Sequence, residues 1–353
     1  MTGRLNCPRS IGFLLCLIVL APNARADDGK PWKDPANTPY LTKKVIEACD
    51  RADALAVPPQ DLPTEADLAA LKDCGSRALY YGIGMAKDFK AARQCAFKER
   101  ANGDDLVIGG SSVLMMSYAN GLGGPRNLDL ALKFACSIGF APAEIQGRVE
   151  HVLNLQSKPA TGKIDFCDDV TSGFMAGHCA AIKTDIAAAK RAEAARALIG
   201  SWPPEQQAAY GALDKAAEAY FNSHADDEID LSGTMRGAIA LEEHDGMAKK
   251  LKAAIDGFEK GKLPAYSPAQ FTDADKRLNE IYGTTMKKIG AGPGYTPPNM
   301  TKDGFRQTER LWLSYLEAWV KFAALRYPAV SADSFKTWLT LQRIDVIKDM
   351  PGN

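Results

Sequence analysis

The stretch DFCDDVTSGFMAGHCAAI, residues 165–182, places two cysteines on either side of a short helix-forming segment. Cys167 and Cys179 have eleven residues between them, close enough for a disulfide to join the start of a helix to the chain that enters it. Glycine-punctuated, self-similar sequence precedes this stretch, and long alanine-rich helical segments follow it. The sequence therefore predicts an all-α fold, with N-terminal helix-pair repeats followed by a disulfide-stapled helical-hairpin domain.

This stretch resembles the opening motif of the LprI-like lysozyme inhibitor family. In that motif a cysteine precedes a Thr, a Met and a Cys-Ala pair, which here are Thr171, Met175 and Cys179-Ala180. A second match lies about a hundred residues further on, in DKRLNEIY at 275–282 and RLWLSYLEA at 310–318. Together the matches cover 164–350, about half of the mature chain, and we assign residues 161–353 to an LprI-like helical domain.

The sequence departs from the family pattern at three places. Glu309 stands where Gln is usual, Leu316 stands where Arg is usual, and no cysteine follows Ala318. The long separation between Cys179 and Leu278 also suggests that helices within 205–260 form an added hairpin. The resemblance implies an exported, non-enzymatic binding protein that blocks a muramidase.

An internal repeat precedes the cysteine pair. The segments GIGMAKDF at 82–89 and GLGGPRNL at 121–128 are offset by 39 residues, and each is followed by an alanine three residues later, Ala92 and Ala131. Each copy has glycines where a helix stops, an Asp or Asn to cap the next helix, and a small residue where two helices cross. These copies resemble the Sel-one-like branch of the tetratricopeptide solenoids, although Leu79 stands where an aromatic residue is usual. We assign 41–160 to this repeat domain.

The N-terminus has the layout of a cleavable secretory signal. Residues 1–26 carry Arg4 and Arg9, an apolar run at 11–20 and the sequence Ala-Arg-Ala at 24–26. We expect cleavage after Ala26, a flexible leader at 27–40, and a periplasmic or secreted protein. Phe-Leu-Leu precedes Cys16, which argues against a lipid anchor. No later stretch has the eighteen or so apolar residues of a membrane span.

Charge and cysteine content narrow the function classes further. Without the three arginines of the signal, 40 basic and 43 acidic residues remain, a net charge of −3, which does not favour nucleic-acid binding. Six cysteines in an exported chain predict three disulfides. They are Cys49, Cys74, Cys95, Cys136, Cys167 and Cys179. Helix placement favours Cys49–Cys74 and leaves Cys95–Cys136 by elimination, with Cys74–Cys95 as the main rival.

Two residue clusters are candidate functional sites. We expect an acidic surface run to bind a basic partner through Asp226, Asp227, Glu228 and Asp230. The same run, if a following helix folds back on it, supplies acid–base or cation-binding groups. That set comprises His224, Asp226, Asp227, Glu228, Glu242, Glu243, His244 and Asp245. We interpret it as a solvated helix end, because no spacing fixes a ligand geometry.

The sequence supports three functional hypotheses. The first is a lysozyme inhibitor whose acidic run attracts a cationic lysozyme by electrostatic steering. The second is a cell-envelope scaffold whose repeats bind a partner protein, and the third is a hydrolase that uses the acidic and histidine set. We predict a non-enzyme without a cofactor or metal site. An aromatic stripe in the last third is predicted to be core, and it comprises Trp312, Tyr315, Trp319 and Phe322.

Overall fold

The computed structural model describes residues 30–103, 107–157, 162–291 and 296–351, and over these residues the chain forms thirteen α-helices and no β-strand. The predicted all-α class is therefore confirmed. The helices are α1 (Lys43–Asp53), α2 (Glu65–Ala70), α3 (Ser76–Tyr81), α4 (Phe89–Asn102), α5 (Gly110–Asn120), α6 (Leu128–Ser137), α7 (Pro142–Ser157), α8 (Gly173–Ile199), α9 (Pro204–Asp227), α10 (Arg236–Glu259), α11 (Pro268–Lys288), α12 (Lys302–Arg326) and α13 (Ala332–Lys348). The predicted signal peptide, residues 1–26, lies outside the described residues.

Both predicted helix–turn–helix segments form at the expected residues. Gly82 and Gly121 end α3 and α5 in the left-handed conformation, with φ of 74° and 66°. Asp88 and Asn127 then cap α4 and α6, because their side-chain oxygens accept backbone N–H groups of the next helical turn. The chain thus reverses direction twice, each time through a left-handed glycine followed by a side-chain helix cap. The relationship to Sel-one-like solenoids stays a prediction.

Gly123 shows how tightly the second turn is packed. Its φ is +75°, and a Cβ built on it would lie 2.2 Å from the backbone oxygen of Phe89. The turn after α5 therefore rests on the backbone at the start of α4, and any side chain at residue 123 would force the two helix pairs apart.

The predicted leader is packed over its described part, residues 30–40. Trp32 is 2% exposed, and its indole N–H donates to the carboxylate of Asp50 at 3.1 Å. Lys30 forms an ion pair with Asp53 at 2.8 Å. This segment is therefore not the flexible leader that its proline content predicted, because one buried tryptophan anchors it to α1.

The three disulfides follow from helix contacts that are distant in sequence. Cys167–Cys179 is confirmed, with its Cα atoms 5.8 Å apart. The favoured pairing Cys49–Cys74 is wrong, because α1 packs on α6 and brings Cys49 to Cys136. Cys95–Cys136 is wrong for the same reason, and the rival pairing Cys74–Cys95 forms.

The first hydrophobic core lies between α1 and the helices α3–α7. Phe166, Met175 and Ile182 belong to it, and Cys167 and Cys179 pack against it. The disulfide-linked stretch therefore closes the N-terminal core, and the boundary predicted at 160/161 does not coincide with the division between cores. Helix α8 begins on the first core, and its C-terminal end reaches the second.

The second core is formed mainly by α9–α13. Helix α12 packs along α9, α11 along α13, and α10 along α8. Leu213 and Tyr220 of α9 and Leu251 and Phe258 of α10 are buried in this core. The helices within 205–260 are thus integral to the C-terminal core.

Candidate functional site

The aromatic stripe of α12 faces the second core. Trp312, Tyr315, Trp319 and Phe322 are 3%, 7%, 0% and 0% exposed, respectively. Trp319 stacks on Phe335 of α13, with ring centroids 6.2 Å apart. The prediction that this stripe is core is confirmed.

The acidic run spans the end of α9 and the loop that follows. Asp226 and Asp230 are exposed and Asp227 is half-buried. The side-chain amide of Asn299 donates to the carbonyl oxygens of Asp226, at 3.0 Å, and Ile229, at 2.9 Å. The loop is therefore held in one conformation by a residue from the segment before α12.

Glu228 does not belong to the exposed surface, contrary to our expectation. It is 0% exposed, and both of its carboxylate oxygens bind the guanidinium of Arg343 on α13, at 2.7 and 2.6 Å. The reason is helical periodicity: Glu228 is four residues after His224 and shares its inward face. Glu228 is therefore unavailable to a partner protein.

Arg343 joins three helices through its remaining donors. Its Nε donates to Glu309 of α12 at 3.0 Å, Nη2 lies 2.9 Å from the same carboxylate, and Nη1 donates to the hydroxyl of Tyr220 at 3.3 Å. Glu309 is the residue that departs from the LprI-like pattern, where Gln is usual. In this fold its charge is used as the second anionic partner of a fully buried arginine.

His224 extends this arrangement to α10. Its Nδ1 lies 2.8 Å from Glu228 and its Nε2 lies 3.2 Å from Glu243. We call the set of Arg343, Glu228, Glu309, His224 and Glu243 the buried ion network. The alternative in which the next helix folds back on α9 is therefore the one observed, and His224 and Glu243 bind each other within the network.

Two other members of the acidic and histidine set contact neighbouring helices. His244 lies 3.0 Å from Glu218 of α9, and Asp245 lies 2.5 Å from Arg191 of α8. Among the described residues, no group of three or more His, Cys, Asp or Glu side chains has the arrangement of a metal site. The set that suggested a hydrolase is therefore not gathered at one place.

Burial and ion pairing shift the pKa values of His224 and Glu228 in opposite directions. Burial lowers the pKa of His224, but its hydrogen bonds to Glu228 and Glu243 outweigh this and raise the pKa. Burial raises the pKa of Glu228, and Arg343 and His224 outweigh it, so that the pKa is lowered. Burial raises the pKa of Glu309. His224 therefore favours its protonated form in the folded protein.

We expect a pH-dependent contribution of His224 to stability. Because its folded-state pKa is raised, the contribution is complete below the unfolded pKa of about 6.5 and is lost as pH rises through the folded value. The stability difference between wild type and His224→Gln should therefore shrink between about pH 6 and about pH 9. Urea unfolding followed by circular dichroism at both pH values measures it.

His178→Gln is the matched control for this experiment. The His178 ring packs against the ring of Phe174, at 4.7 Å between centroids. Loss of an imidazole outside the buried ion network shows whether the decrease is specific to His224. A constant difference for His224→Gln across the pH range contradicts a protonated His224 at the centre of the network.

Comparisons with known proteins add no relative. No family model, no curated protein and no solved structure matches this chain. Within the described ranges, no helix is both long enough and apolar enough to cross a bilayer. The three disulfides indicate an oxidising compartment.

Proposed function

We propose that this chain is an exported binding protein, not an enzyme, and that its C-terminal helices inhibit a muramidase of the cationic lysozyme type. One observation carries the choice between binding and catalysis. The members of the acidic and histidine set that meet, His224, Glu228 and Glu243, are bound to Arg343 or to each other. The exposed part of the same run, Asp226 and Asp230, remains free to meet a basic protein surface.

The resemblance to LprI-like inhibitors supports the target class. It lies in the cysteine motif at 167–180 and in the segments 275–282 and 310–318, which belong to α8, α11 and α12. The start of α12 lies beside the acidic run, since a Cβ on Gly304 would lie 2.5 Å from a carboxylate oxygen of Asp227. Asp303, whose side chain is 93% exposed, also lies at the start of α12, where it forms an ion pair with Arg306.

Export is the part of the proposal that the disulfides support. Six cysteines paired in three bonds are typical of secreted and periplasmic proteins. The sequence adds a signal-like segment at 1–26. N-terminal sequencing of envelope material should give a chain that begins at Asp27, and an uncleaved N-terminus contradicts this proposal.

The test of inhibition uses the exposed carboxylates alone. Asp226→Asn with Asp230→Asn should reduce the association rate with C-type lysozyme by roughly 10-fold at low salt, because these charges steer a cationic partner. Wild-type association should slow as salt rises and the Debye length falls below about 8 Å. Surface plasmon resonance and a cell-wall lysis assay measure binding and inhibition.

Asp273→Asn with Glu280→Gln is the matched control, because both residues are exposed carboxylates on α11. This variant should associate at the wild-type rate. Neither variant should change stability by more than about 0.5 kcal/mol, since exposed charges contribute little to folding. Inhibition that survives the loss of Asp226 and Asp230 at high salt places the contact elsewhere on the chain.

A protein-interaction scaffold is the second candidate, and an exposed aromatic pair in the N-terminal helices favours it. Phe174 is 60% exposed and Phe140 is 38% exposed, with ring centroids 6.4 Å apart. Phe140 also has a φ of 89°, an uncommon conformation for a side chain of this size. If the wild-type protein does not bind lysozyme at micromolar concentration, the result favours the scaffold over the inhibitor.

A further inference from the structure

A cavity of about 230 Å³ lies between α9, α10, α12 and α13 in the C-terminal unit. Aromatic side chains from three of these helices, α9, α12 and α13, contribute to its wall, which is the usual composition of a small-molecule site. They are Tyr220, Phe221, Trp312, Tyr315 and Trp338. An engineered cavity of about 150 Å³ is large enough to bind benzene. The cavity therefore accepts a single aromatic ring with a short substituent.

Arg343 lies in the wall of this cavity, but it has no donor left for an anionic ligand. Its five N–H groups are directed at Glu228, Glu309 and the hydroxyl of Tyr220. Two carboxylates surround this one guanidinium, so the buried side of the cavity is not positively charged overall. A ligand carboxylate would have to displace a bidentate ion pair from a residue that is 1% exposed.

The exposed edge of the cavity is acidic. Asp345 and Asp349 lie one turn apart on or directly after α13, and both line the cavity. Neither carboxylate has an ion-pair partner within the described ranges of the chain. Lys250 of α10 is the one lysine in the wall. The free acceptors at the entrance are therefore carboxylates, which bind an ammonium group.

We propose that this cavity binds a small primary amine with an aromatic or compact apolar body. The body lies among the aromatic side chains, and the ammonium group contacts Asp345 and Asp349. Cation–π attraction to the nearby rings adds to the carboxylate contacts. This site is separate from the acidic run that the lysozyme proposal uses, because its two carboxylates lie on or directly after α13 and Asp226 and Asp230 do not line the cavity.

Isothermal titration with benzylamine tests the proposal on the full mature protein. Benzyl alcohol and benzoate are the matched neutral and anionic probes. Benzylamine, cationic at neutral pH, should bind saturably with a Kd of about 1 mM or tighter, which suits a ligand of this size. It should bind roughly 10-fold more tightly than benzyl alcohol, and benzoate should bind more weakly still.

Two variants locate the binding. Asp345→Asn with Asp349→Asn should remove most of the roughly 10-fold preference for the amine, while Glu317→Gln, an exposed carboxylate of α12, should retain it. Ala254→Phe adds a ring to the cavity wall and should abolish binding of every probe. A far-UV circular dichroism melt establishes that each variant is folded.

Three results would each overturn the assignment. The first is no saturable heat with benzylamine at millimolar concentration. The second is equal binding of benzylamine and benzoate. The third is a preference for the amine that is unchanged in both the Asp345/Asp349 variant and folded Ala254→Phe. Lysozyme inhibition should be unchanged in these variants, so failure here is distinct from failure of the inhibitor proposal.

Discussion

Replacement of Cys49 and Cys136 by alanine should lower the free energy of unfolding of the N-terminal helices by roughly 4–5 kcal/mol. The bond joins α1 to α6 across a sequence separation of 87 residues. In the chain-entropy model, a longer closed loop restricts the unfolded chain more strongly. Cys49 and Cys136 are also buried in the first core, so this pair should matter most among the three.

The comparison is Cys167→Ala with Cys179→Ala. That bond spans a separation of 12 residues, and the same model gives a loss of roughly 3 kcal/mol. Both double variants are unfolded in urea without reductant and followed by circular dichroism. A larger loss for the short loop than for the long one contradicts the entropic account and indicates that packing around Cys167 decides its contribution.

The sequence predicted local structure well and distant contacts poorly, as the cysteines show. Cys167–Cys179 was predictable because its residues are close along the chain. Cys49 was assigned to Cys74, because neighbouring helices in sequence were expected to be neighbours in space. Instead α1 packs against α6, and nothing local to Cys49 carries that information.

Helix boundaries show a similar division. From the sequence, helices are expected at about 234–260 and 331–348, and α10 and α13 agree closely with these ranges. Thr272 with Asp275 predicts a capped helix start at Thr272, whereas Ser267 caps α11. The Ser267 hydroxyl accepts the N–H of Gln270, and the Gln270 side chain accepts the N–H of Ser267. The sequence thus contains two capping signals five residues apart, and the Ser-Pro-x-Gln signal at 267–270 is the one that starts the helix.

The prediction that Glu228 is an exposed binding residue was wrong for a physical reason. Three consecutive acidic residues, 226–228, look like a solvated helix end. Only one side of the helix end is solvated, however, and the cation that makes burial of Glu228 tolerable lies 115 residues away in sequence. The spacing of His224 and Glu228, four residues apart, was the one local sign that this face points inward.

Arg343→Met should destabilise the C-terminal helices by roughly 3–5 kcal/mol. The substitution leaves Glu228, which is 0% exposed, and the largely buried Glu309 without their common cation. Glu228→Gln should cost less, because Arg343 keeps the charge of Glu309 as its partner. Urea unfolding near neutral pH ranks the two variants, and a greater loss for Glu228→Gln contradicts the central role of the arginine.

The loss in free energy of unfolding caused by Arg343→Met should also depend on pH. Without the guanidinium, burial raises the folded-state pKa of Glu228 above its unfolded value of about 4.3, so that protonation favours the folded form. In wild type the same pKa is lowered, so the stability that the ion pair contributes is lost as pH falls through that value. The first effect makes the gap between the two proteins shrink from about pH 7 to about pH 4, and the second continues the decrease below about pH 4. A gap that stays constant indicates that Arg343 acts through packing on Tyr220 and Phe305 and not through its charge.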